Sequence, residues 1–62
     1  MTLRILRLPL VIEKTGLGRA SIYAKINEGT FPSPIKISKR ASGWLESEVN
    51  DWIEEQINFR NK

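Results

Sequence analysis

Apolar residues mark out the elements of this chain before any chemistry is considered. Ile5-Leu6-Arg7-Leu8 is an apolar stretch long enough for one strand and too short for a stable helix. Leu8, Val11 and Ile12 then recur at the i, i+3, i+4 spacing of one helical face, and Pro9 is accepted in a first turn, where its missing N–H would have lacked a partner anyway. Thr15-Gly16 closes this segment, so the pattern predicts a brief helix over about 9–15 that holds only by tertiary packing. A second helix starts after Gly18: Ile22 and Ile26 share one face, while Arg19, Ser21 and Lys25 point elsewhere, and Asn27-Glu28-Gly29 supplies the stop. A short helix, a glycine-containing turn and a second helix with a polar outer face is the helix-turn-helix pattern, here over about 9–28.

The period then switches. Phe31-Pro32-Ser33-Pro34 is barred from helix by its prolines, and Ile35-Lys36-Ile37 alternates as a half-buried strand does. Ser38-Lys39-Arg40-Ala41-Ser42 is a basic connection and Gly43-Trp44 leads back to the body, which predicts a β-hairpin over about 34–44 with Lys39-Arg40 at its tip. Leu45, Val49, Trp52, Ile53 and Gln56/Ile57 form a last helical stripe with Glu46, Glu48, Asp51, Glu54 and Glu55 outside it, predicting a closing helix over about 46–58. Arg60 and Lys62 fall at or past its end, where cations suit the helix dipole. Trp44 and Trp52 read as core anchors, since large aromatics dominate small cores. The fold class expected is mainly α with a small β-hairpin, a single winged helix-turn-helix domain over 1–62.

Composition narrows the chemistry. A chain of 62 residues buries only about 60% of its unfolded surface, so its core is thin. The absence of cysteine and histidine excludes a disulfide framework and a structural zinc site, and leaves no base or nucleophile of the usual kinds. Neither a metal nor another cofactor, and no small-molecule substrate, is therefore expected, and an enzyme is disfavoured. No apolar run is long enough to span a membrane, and Arg4, Arg7 and Pro9 interrupt the start as a secretory signal would not allow, so a cytoplasmic protein is expected, nucleoid-associated if DNA is its partner.

Charge adds a direction. The formal net charge of +3 conceals eight basic against two acidic residues in 1–43, and two against five in 44–62. A basic front with an acidic back suits a polyanion. In a winged helix-turn-helix the second helix enters the major groove of double-stranded DNA and the wing reaches phosphate or the minor groove. On that reading Arg19, Ala20, Ser21, Tyr23, Ala24 and Lys25 occupy the recognition helix. Arg19 is placed for a guanine edge, Ser21 and Tyr23 for a base or phosphate, and Lys25 for phosphate. Lys36, Lys39 and Arg40 are the phosphate contacts of the wing. Each has a plainer alternative: Tyr23 packs its ring in the domain, Arg19 pairs with Glu13, and Lys25 and Arg40 are solvated surface charges. A protein-interaction module, with Leu10, Ile57 and Phe59 as an apolar patch, is the competing class.

Several runs go beyond pattern: Arg4 to Pro9, Thr15 to Tyr23, Gly29 to Ile37, Gly43 to Val49, and Trp52-Ile53. Over about 4–57 the chain resembles the AlpA family, small phage- and prophage-encoded DNA-binding regulators similar to excisionases with a MerR-like winged helix-turn-helix. The resemblance implies sequence-specific binding near a prophage promoter or attachment site, with a role as a regulator of an integrase gene or as an excisionase. Integrase or a second copy of the chain are the protein partners it suggests. It places Arg19, Ser21 and Tyr23 on the recognition helix and Lys39 and Arg40 on the wing. Ala24 stands where relatives often carry arginine, Gly18 and Ala20 where serine is usual, and Leu10 where an acid is frequent.

Overall fold

The structure, a computed structural model, describes residues 3–61. Lys62, expected beyond the closing helix, lies outside them. The elements run β1 (Ile5–Leu6), α1 (Leu8–Thr15), α2 (Arg19–Glu28), β2 (Ile35–Ser38), β3 (Ala41–Leu45) and α3 (Glu46–Arg60). The three helices and the small antiparallel sheet, ordered β1-β3-β2, make a winged helix-turn-helix. The short apolar stretch at Ile5 does become a strand, and it lengthens the expected hairpin to three strands by pairing Ile5 with Leu45 and Leu6 with Trp44.

The first two helices each end on a left-handed glycine, Gly16 and Gly29. α1 begins one residue earlier than the proline suggests, because the Arg7 carbonyl accepts from both Leu10 N (3.1 Å) and Val11 N (3.2 Å). α2 closes on Gly29 at φ 78°, a left-handed conformation that an L side chain would strain. Gly29 N–H donates to the Ile26 carbonyl and Thr30 N–H to that of Lys25, the paired bonds of a Schellman motif. The helix-turn-helix therefore stops abruptly, and the chain turns into the Phe31–Pro34 segment.

The core is one cluster: Leu6, Val11, Ile22, Phe31, Trp44 and Val49 are buried, with Leu8, Ile12, Leu17, Ile26, Trp52 and Ile53 packed around them. Both tryptophans anchor it. Trp44 Nε1 donates to the Pro32 carbonyl (3.0 Å), and Trp52 Nε1 to that of Thr30 (2.7 Å) while its ring meets Phe31 edge-on at 5.0 Å. These two indoles tie the segment after α2 to the sheet and to α3. The stripe of α3 runs out after Ile53, since Ile57 is exposed. Glu46 opens α3, where its carboxylate meets Arg4 (3.3 Å) and Lys14 (3.4 Å). Among the described residues no helix is long and apolar enough to cross a membrane.

The wing departs from expectation in one respect: β2 is exposed along its whole length rather than half-buried. Ile35 pairs with Gly43, so Ile35, Gly43 and Ile37 share the outer face of the sheet, where both isoleucines are exposed while Gly43 itself is buried. Gly43 is there because the outer face is crowded at that point. A Cβ on it would meet Ile5 Cγ2, the Leu6 carbonyl oxygen at 2.9 Å and Ile37 Cδ1 at 3.0 Å. The isoleucines can shift; the backbone oxygen cannot without breaking β1–β3 register. Gly43→Ala is accordingly expected to destabilise the domain by about 1–3 kcal/mol. Thermal unfolding followed by circular dichroism should show a midpoint lower by roughly 5–20 °C for a domain of this size.

Candidate nucleic-acid interface

The polar side of α2 is what its sequence spacing dictates. Ile22 is sealed in the core, and a helix turning 100° per residue places Ala20, Ala24 and Asn27 on the opposite, outward stripe. All three are exposed. Ser21 and Lys25 lie on one flank of this stripe, with Ser21 exposed and Lys25 partly covered. Arg19 and Tyr23 lie on the other flank, four residues apart and in contact: the Arg19 guanidinium carbon sits 5.8 Å from the centre of the Tyr23 ring.

Tyr23 packs its ring in the domain and still reaches the surface. Its ring sets an edge against buried Trp44, with centroids 6.4 Å apart, yet the residue remains 38% exposed. Arg19 does not pair with Glu13; among the described residues the ion pairs are those of Glu46 with Arg4 and Lys14.

The wing meets this flank of α2. A cleft of about 290 Å³ is lined by Arg7, Leu8, Pro9, Arg19, Tyr23, Arg40, Ser42 and Trp44. The start of α2 and the tip of the hairpin thus border the same hollow. Lys36 pairs across the hairpin with Ser42 and so lies on the sheet face that lines the cleft, whereas Lys39 stands exposed in the turn beside Arg40. Of the residues expected at the interface, Arg19, Tyr23 and Arg40 converge on the cleft and Lys36 adjoins it. Ala20 and Ala24 lie on the outward stripe next to that flank, while Ser21 and Lys25 lie beyond it on the far flank, away from the cleft.

Two residues escaped the sequence reading. Arg7 reaches the cleft because β1 pairs with β3, a long-range contact that no local spacing reveals. In the sequence Asn27 reads as a helix stop, although it stands seven residues, two helical turns, beyond Ala20 on the outward stripe.

The other end of α2 has the opposite character. A second cleft, of about 510 Å³, runs from Gly29 and Thr30 to α3 and carries Glu48, Asp51 and Glu55 around Phe31, Trp52 and Phe59. Phe59 lines it but Leu10 and Ile57 do not, so the three exposed apolar residues do not form one patch there. The basic front and acidic back of the sequence become the two ends of one helix about 15 Å long.

The sequence profile described as Prophage CP4-57 regulatory protein (AlpA) matches residues 4–57. The chain belongs to the AlpA family. It is 41% identical to the DNA-binding transcriptional activator AlpA of Escherichia coli (strain K12), a match covering 86% of this chain and 84% of that protein. It is also 37% identical to the uncharacterized protein ORF88 of Enterobacteria phage P4, covering 95% of this chain and 67% of that one. Both the cleft and the outward stripe of α2 fall within the span of the AlpA match.

Proposed function

We propose that this AlpA-family chain is a sequence-specific DNA-binding regulator of the prophage type, acting in the cytoplasm on a locus that controls integration or excision. The observation that carries the reading is the common cleft of Arg19 and Arg40: the recognition helix and the wing face one surface, as a duplex requires. In this arrangement α2 enters the major groove by its outward stripe. Ala20 and Ala24 are small enough to let the helix approach closely and to meet thymine methyl groups, and Asn27 has the paired donor and acceptor that suit adenine. Ser21 supplies a hydroxyl for a base or phosphate. Lys25, Lys36, Lys39 and Arg40 neutralise backbone phosphates, which holds the helix in place without specifying sequence.

Membership of a family with a DNA-binding activator supports this reading, and a salt titration tests it. With four to six phosphates neutralised, log K for a duplex plotted against log salt should fall with a slope of roughly −4 to −5. A flat response would remove the electrostatic basis of the proposal. An excisionase built on the same surface would also bend its site, so circular-permutation gel shifts separate that reading from a regulator that leaves the duplex straight.

A further inference from the structure

The cleft between α1, α2 and the wing collects arginines from three separate parts of the chain. Arg7 comes from the link between β1 and α1, Arg19 from the first turn of α2 and Arg40 from the hairpin tip. The remaining lining is apolar, aromatic or hydroxyl-bearing, so among the described residues no carboxylate borders the cleft. Elsewhere this chain does pair its cations: Arg4 and Lys14 share the carboxylate of Glu46. Arg7, Arg19 and Arg40 have no ion pair among the described residues. Three like charges around one small hollow repel one another, and an anion placed among them reverses the sign of that energy.

The hollow is also prepared. Arg19 is steadied over the ring of Tyr23, which leans in turn on the buried indole of Trp44. That stacking lowers the ordering cost of using its guanidinium. Tyr23 and Ser42, which line the same cleft, each carry a hydroxyl that can donate. A guanidinium fork matches the two free oxygens of a phosphodiester, which a lysine's point charge does not.

Resting on the DNA-binding reading above, we infer that Arg7, Arg19 and Arg40 form one seat for a single backbone phosphate of the duplex. The seat lies where α2 begins and beside the wing, so filling it sets the register of the recognition helix along the groove. Arg19 then positions α2 instead of reading guanine, and base discrimination passes to Ala20, Ser21, Ala24 and Asn27. Arg7 becomes a DNA contact although it belongs to neither the helix-turn-helix nor the wing.

The test uses the full chain and a duplex it selects from a random pool, remade as a series with one phosphate at a time replaced by an uncharged methylphosphonate. At one position the unaltered protein should lose about tenfold in affinity, while Arg7→Gln, Arg19→Gln and Arg40→Gln, each weaker to begin with, should lose no more than about twofold there. Arg7→Lys should recover only part of the affinity, because it restores charge without the fork. Arg7 and Arg40 are exposed, so their variants should melt as the parent does; if Arg19→Gln unfolds, these two carry the comparison. The seat is overturned if the variants are blind to different phosphates, or if Arg7→Gln behaves as the parent at every position. A parent chain that binds no duplex at all overturns the DNA-binding reading together with the seat, which keeps the two failures apart.

Discussion

Trp44→Ala is expected to abolish the cooperative thermal transition of the domain. Trp44 is 1% exposed, pairs with Leu6 in the sheet, bonds Pro32 through its indole N–H and backs the ring of Tyr23. Truncating a buried tryptophan costs about 3–5 kcal/mol. A single core in a chain of 62 residues rarely supplies more than about 3–5 kcal/mol. The substitution therefore removes most or all of what holds the fold, and a chain without cysteine has no disulfide to make up the loss. Trp44→Phe keeps the ring in the core and gives up the bond to Pro32, so it should lower the urea midpoint by the equivalent of about 1–2 kcal/mol and leave a cooperative transition. A Trp44→Ala variant that melts within a few degrees of the parent would place the centre of the core somewhere else.

The same tryptophan shows how far the chain could be read from its sequence. Helices α1 and α2 were legible because αL glycines and apolar spacing act locally, and the wing because prolines and alternation do. What alternation cannot say is which face of a strand finds a partner. Ile35 and Ile37 repeat as in a half-buried strand, yet Ile35 pairs opposite Gly43, which puts the isoleucines on the outer face and leaves Lys36 on the side of the cleft. The candidate site divides in the same way. Arg19, Tyr23 and Arg40 were identifiable because their elements were, whereas Arg7 depended on β1 docking against β3 across some forty residues of chain. Asn27 was hidden by its other use, since asparagine near a helix end reads first as a stop signal.

Reversing the wing, Lys39→Glu with Arg40→Glu, is expected to weaken duplex binding at least about 100-fold, because two charge-assisted contacts of roughly 1.5–3 kcal/mol each are replaced by repulsion. Because the phosphate at Arg40 is shared with Arg7 and Arg19, the plot of log K against log salt should flatten by about 0.9, for the one phosphate that Lys39 neutralises. Folding should be unchanged: both side chains stand exposed at the turn, and neither has an ion pair among the described residues. Net charge alone offers a rival explanation, and position separates the two. Arg40→Glu and Arg60→Glu change the formal charge equally, but Arg60 lies in the last turn of α3, whereas Arg40 borders the cleft beside α2. Specific docking predicts a large loss for Arg40→Glu and a small one for Arg60→Glu, with both effects read as duplex affinity at fixed salt. Equal losses would mean that the duplex feels only the total charge of the molecule. If the doubly reversed wing bound as tightly as the parent, the acidic, aromatic-lined cleft at the far end of α2 would become the surface to explain, and with it the protein-interaction reading.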